Sequence, residues 1–198
     1  NLDTDSEIHV SMNEERRRVK LRRGRAHFDV AEDLTRPFQV IAGQQLVVAS
    51  AGQFDVSRDG ALVSVLLEQG PVQVTQDTAA ATLLPRTITP GELVVFAEDR
   101  VVREERPPLE QAMAWRHGRL AFFEEPLADA VAAMNRYTRR PLVILDAEIA
   151  RMPISGNYSV GDPQAFATSI SVLLPVQVEL ERNRITLRAA SGASATTG

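Results

Sequence analysis

Histidine is the side chain best suited to proton transfer or metal ligation near neutral pH, and this chain has three: His9, His27 and His117. No two of them stand at the helical spacing of a metal-binding pair, and each lies in or beside a strand-like stretch, so they read as strand histidines, partly exposed. Glu124 and Glu125 are adjacent carboxylates of the kind acid–base chemistry uses. Their place just ahead of a helix start at Pro126 gives them a simpler role, favouring the helix dipole. There is no glycine-rich phosphate loop and no G-x-S-x-G elbow. Zero cysteines exclude disulfides, thiolate catalysis and Cys-ligated zinc. The expectation is a protein that is not an enzyme, with no catalytic residue, cofactor or metal site.

Binding offers more. Arg16, Arg17, Arg18, Lys20, Arg22, Arg23 and Arg25 form one dense cationic run, interrupted by Val19 and Leu21 as a strand would need. It suits an acidic partner or anionic lipid headgroups. The simpler reading is a solvated strand face and hairpin tip, balanced by Glu14, Glu15, Glu32 and Asp33. Trp115, Phe122, Phe123 and Tyr158 are either partner anchors or ordinary packing. Tyr158 is the most open case: Asn157, Tyr158, Ser159 and Val160 form a polar, extended segment suited to a sheet edge, where another chain could add a strand.

The elements that position these residues fall into two blocks. With 198 residues and 44% hydrophobic content, one large core or two small ones can be buried. The net charge of -4 and pI near 5.5 argue against a dedicated nucleic-acid binder. No apolar run approaches the ~20 residues that span a bilayer, and no leader opens the sequence, so the segment reads as soluble. From Leu2 to about Ala97, "EIHVSM", "RRVKLRR", "RAHFDV", "FQVIA", "QLVVAS", "GQFDVS", "ALVSVLLE", "PVQVTQ" and "ELVVFAE" alternate like strands between Gly, Pro, Asp and Asn signals. They predict an all-β domain over 1–102, solenoid-like or sandwich-like. The charged, Pro107–Pro108-bearing stretch that follows lacks strand alternation and predicts a linker over 103–114. Over 115–188 the pattern is β-α-β twice. "RLAFF", a helix whose face is Leu127, Val131, Met134 and Tyr137, and "LVIL" make the first unit. "ISGNYSV", a helix capped by Asp162–Pro163 with Phe166, Ile170 and Leu173 on its face, and "VQVEL" make the second. "RITLR" then pairs back across Arg182 and Asn183, giving one small sheet with both helices on one side, built by an internal duplication. The fold class is mainly β plus α+β, ending in a disordered tail over 189–198.

The stretches "LDTDSEIHV", "RRVKLRRGRAHFDVAEDLTRPFQV", "FDVSRDGALVSVLLEQGPVQV" and "TPGE", followed by "AWRHGRLAFFEEPLADAVAAMNRY" and "ISGNYSV", resemble the periplasmic region of FecR-type regulators. These are membrane-spanning anti-sigma factors of bacterial cell-surface signalling. The second half separately resembles the short N-terminal (STN) domain of secretins and TonB-dependent receptors, a two-fold βαβ repeat. The resemblance implies a single-pass inner-membrane protein whose cytoplasmic part holds an extracytoplasmic-function sigma factor. Its periplasmic region would receive the signalling domain of a TonB-dependent outer-membrane transporter for a siderophore or related iron source. Periplasmic and intramembrane proteases would follow, the tail after Arg188 suiting a tail-recognising one. Some relatives break their own chain at a Gly-Thr pair where this sequence has Ala51 and Gly52; with no hydroxyl there, no self-cleavage is expected. A self-associating assembly module of the cell envelope is the alternative the secretin likeness leaves open, and a carbohydrate-binding β domain would need an aromatic platform that the sequence does not display.

Overall fold

In the computed structural model, which describes residues 1–77, 85–98 and 100–190, the chain divides into two compact units, Asn1–Leu109 and Glu110–Gly198. The first is built from β1 (Glu7–Met12), β2 (Arg17–Val30), β3 (Phe38–Ala42), β4 (Gln45–Ala49), β5 (Gly52–Asp59), β6 (Leu62–Gln69), β7 (Val72–Gln76), β8 (Arg86–Ile88), β9 (Leu93–Ala97) and β10 (Arg100–Glu105). Among the described residues these form one curled sheet in the order β10-β9-β6-β5-β2-β3-β4-β7-β8, with β1 added to β2.

Strand β2 explains the curl. Its first half pairs with β1 and, in parallel, with β3; its second half pairs antiparallel with β5. The buried positions are odd at Val19 and Leu21 and even at Ala26 and Val30, so the parity of the inward face changes across Arg22–Gly24. One strand thereby serves both halves of the sheet, since a shift of one residue moves every side chain to the opposite face. Hairpins then alternate between the halves: β3–β4 and β7–β8 on one, β5–β6 and β9–β10 on the other. Both halves contribute to a single core, in which Leu21, Val40, Phe54, Val65, Leu67 and Val94 are buried.

Two strands depart from the sequence reading. The stretch Arg86–Ile88 and the charged stretch Arg100–Glu105, the latter expected to lack strand structure, pair with β7 and β9. Arg86 donates to Glu104 and Glu92 (2.6 and 2.7 Å), so charge pairing supplies support that alternation does not. The Glu92 carboxyl is held below its usual range, first by the Thr89 backbone N–H and then by Arg86 against the opposing effect of burial. A short helix α1 (Leu109–Ala112) and a 3-10 turn (Ala114–His117) follow.

The second unit contains β11 (Arg119–Pro126), α2 (Leu127–Asn135), β12 (Leu142–Ile144), α3 (Ala147–Ala150), β13 (Pro153–Ser159), α4 (Pro163–Leu173), β14 (Val176–Leu180) and β15 (Ile185–Ala189). The expected single sheet is two. Strands β11 and β13 pair antiparallel, and β12 and β14 flank β15 in a separate three-stranded sheet. The equivalent strands of the two βαβ repeats therefore pair or share a neighbour. Leu127, Ala130, Val131 and Met134 of α2 and Phe166, Ala167 and Ile170 of α4 meet residues of both sheets in one core. Helices with an apolar face on each side can serve two sheets.

Asp162 caps α4 by accepting from the Ala165 N–H (2.9 Å), with Pro163 in the first turn as the sequence indicated. Pro126 is the N-cap residue of α2, one place before the first turn. Leu173, placed on the apolar face by its spacing, is exposed: the helix ends there, and Leu174, extended at φ -125°, packs against the core instead. Ala189 closes β15, Ala190 donates to the Pro175 carbonyl, and the remaining tail, 191–198, lies outside the described residues.

Candidate partner-binding site

The alternation of β13 sorts the four candidate residues by face. Ile154 is buried and Tyr158 partly so, while Ser155, Asn157 and Ser159 are exposed. The register sets Asn157 beside Ala121, Tyr158 beside Leu120 and Ser159 beside Arg119. Val160, just past the strand, donates its N–H to the Gly118 carbonyl (2.8 Å). Among the described residues β13 pairs only with β11, so its other edge carries no strand. Such an edge is a template for backbone pairing.

Tyr158 is less available than its polar surroundings suggest. Its ring meets Phe166 edge-on (4.9 Å, 75°) and lies 5.8 Å from Phe122, and burial pushes its phenol above the usual range. Phe122 is itself buried, as is Trp115. Of the four aromatic candidates only Phe123 stands out, 69% exposed, beside a bulge that breaks the β11–β13 register between Phe122 and Glu125. Glu124 occupies φ +50° there and donates its N–H to Ser155 Oγ (2.9 Å). The candidate edge is thus the backbone of β13 with Asn157 and Ser159 facing out, and Tyr158 holds the strand on its core.

Ala51 and Gly52 enter β5. Gly52 has φ +118°, and a Cβ at this position would lie 2.2 Å from the Gln69 carbonyl oxygen. Any side chain there, threonine included, would have to displace the neighbouring backbone.

The histidines separate. His9 is exposed on β1 and His117 is exposed before β11. His27 lies in β2 with its side chain 10% exposed, and its Nδ1 lies 2.9 Å from Oδ1 of Asp55. Asp55, 2% exposed, also accepts from Arg25 Nη2 (2.8 Å) and Nε (3.2 Å). The alternation in "RAHFD" puts Arg25 and His27 on one face, and that signal was readable. The carboxylate that joins them comes from β5, through the pairing of His27 with Asp55, and no local pattern announces it. Among the described residues no group of His, Asp or Glu is placed to hold a metal ion.

The cationic run is divided among several partners. Arg22 and Arg23 face Glu7 (3.5 and 3.8 Å), and Arg18 donates to Gln39 (2.9 Å). Arg17 donates to the carbonyls of Arg36 and Ala31 (2.8 and 2.9 Å), fixing the loop before β3. Asp33 pairs with Arg36 (2.9 Å), whereas the ion pair that meets the exposed part of the run comes from Glu7 and not from Glu14 or Glu15.

Residues 1–73 match the model of a family described as FecR protein, so the resemblance read from the sequence holds over that stretch. Two solved structures of a candidate anti-sigma factor from Parabacteroides distasonis share the fold, at TM-scores of 0.76 and 0.74. Each is 20% identical, over 96% of this chain and 89% of that one. No curated protein matches the chain. Among the described residues no helix is long and apolar enough to cross a membrane.

Proposed function

We propose that this chain is the periplasmic signal-receiving region of a transmembrane anti-sigma regulator in cell-surface signalling. It works by binding: the N-terminal signalling domain of a TonB-dependent outer-membrane transporter, one that imports a siderophore or related iron source, docks on the second unit. The FecR match over residues 1–73 is the observation that carries this reading. The fold shared with a candidate anti-sigma factor agrees with it. The paired βαβ repeats favour reading the second unit as an STN-like domain, with its boundaries near residues 115 and 188.

The docking edge is β13 at Asn157, Tyr158, Ser159 and Val160, where an incoming strand would find unpaired backbone groups. Docking changes the chain's exposure to periplasmic and intramembrane proteases by favouring one of two arrangements through its differential affinity for them. The cytoplasmic part would hold the extracytoplasmic-function sigma factor. Size-exclusion chromatography of the chain with isolated signalling domains tests the reading: co-elution with one of them supports it. Elution of the chain alone as a stable oligomer, with no co-elution, supports the rival envelope-assembly module.

A further inference from the structure

One end of the curled sheet in the first unit is open. Strand β1 pairs only with β2 among the described residues, so its outer edge is free. Residues 1–3 run along the second half of β2 through the Leu2–Ala26 bridge and the bonds joining Asn1 to His27 and Asp3 to Arg25. Between these two edges lies a groove of about 550 Å³ lined by Leu2, Ile8, Val10, Met12, Phe28 and Phe38. Leu2, Val10 and Met12 are each half or more exposed, although all three point along the same apolar surface as the core. Wound β structures ordinarily cap such an end to keep the core from water, and an exposed apolar patch bordered by charge marks an interaction site.

The charge on the border selects the occupant. One strand in from the β1 edge, Arg18, Lys20, Arg22 and Arg23 are clustered on β2, with Arg16 in the turn before it, and Arg22 and Arg23 pair with Glu7. A strand added to β1 would lie about 10 Å from this row, two strand spacings away, within reach of partial attraction at physiological ionic strength. Two copies of this chain joined edge to edge would bring two cationic rows together, which disfavours self-pairing. We infer that β1 and its groove dock an extended segment of another protein in which apolar residues alternate with Asp or Glu. The apolar side chains fill the groove over Val10 and Met12, the backbone pairs with β1, and the carboxylates face the arginine row. This surface lies on the first unit and does not depend on the receptor contact proposed for β13.

The test uses a fluorescently labelled peptide of alternating glutamate and valine, titrated with the chain and followed by anisotropy. Saturable binding is expected, weakened at least tenfold when the peptide's glutamates are replaced by lysine. Val10→Glu in the chain should weaken it at least tenfold, and the surface pair Lys20→Glu with Arg18→Glu severalfold, the latter without loss of folded structure by circular dichroism. Equal binding of the lysine peptide, no saturable binding, or insensitivity to both sets of variants would each overturn the inference. So would concentration-dependent dimerisation abolished by Val10→Glu, which would make a second copy the occupant.

Discussion

Replacing Tyr158 separates its role in the core from any role at the surface. The ring is partly buried and packs on Phe166 and Phe122 at 4.9 and 5.8 Å. Full truncation of a buried aromatic costs about 3–5 kcal/mol. For a ring that keeps some exposure, about 2 kcal/mol is reasonable, with about 1 kcal/mol more for the lost edge-to-face pair. Tyr158→Ala should therefore destabilise the second unit by about 3 kcal/mol. Tyr158→Phe should cost under about 0.5 kcal/mol, because a hydroxyl 3.5 Å from the Ser155 carbonyl makes at best a weak bond. The sole tryptophan, Trp115, is buried in the same unit and reports its unfolding by fluorescence. With a urea slope of roughly 1.5 kcal/mol per molar for a unit this small, the midpoint should fall by about 2 M in Tyr158→Ala and hardly move in Tyr158→Phe. The phenol adds a pH signature. Its pKa is raised by burial, so the stabilisation it brings is complete below the unfolded value near 10 and is lost as pH rises through the folded one, in wild type but not in Tyr158→Phe. Equal midpoints for the two variants would refute the packing of this ring and return Tyr158 to the surface.

Asp33, whose carboxyl is lowered to about 2 first by the Thr35 hydroxyl and further by Arg36, should stabilise the loop before β3 above the ordinary carboxylate pKa and lose that effect as pH falls toward 2. Asp33→Asn should be less stable than wild type at pH 7 in thermal melts, with most of the difference gone by pH 2. Asp55→Ala should cost the first unit about 3 kcal/mol, because a buried charged network loses its centre; urea unfolding that matches wild type would show the network to be dispensable. Intact mass after days at room temperature should show an unbroken chain, and fragments ending at Ala51 or starting at Gly52 would contradict the expectation drawn from the missing hydroxyl. Gly156→Ala, whose new Cβ would come within 3.1 Å of the Tyr158 ring at φ +148°, should destabilise the second unit by about 1 kcal/mol or more, read by the same tryptophan.

Where alternation and turn chemistry agree, the fold was legible. Strand β1 begins and ends where "EIHVSM" does, and the turn after it closes through Asn13 Oδ1, which accepts from the N–H groups of Glu15 and Arg16. Two hairpin strands were not legible. Arg86–Ile88 is too short to show a period, and Arg100–Glu105 is so charged that only its partners β9 and Glu104–Arg86 reveal it. The duplication in the second unit was visible in its repeated helix signals, but the division into two sheets depends on which strands find each other across the chain. Of the candidate site, the extended character of "SGNYSV" was readable from its residues; the inward turn of Tyr158 required knowing that Phe166 and Phe122 would stand behind it.

The proposed role of β13 as the receiving edge for a receptor's signalling domain is tested most directly by calorimetric titration. The chain would be titrated with the isolated signalling domains of the TonB-dependent receptors of one cell, in wild type and in Ser159→Glu, which places a charge on the exposed face of β13 while leaving Tyr158 in its core. Saturable binding to one domain, weakened in the variant, is the result the account predicts. Binding that the variant leaves unchanged would place the contact elsewhere on the chain, and binding to none of the domains would contradict the signalling role itself.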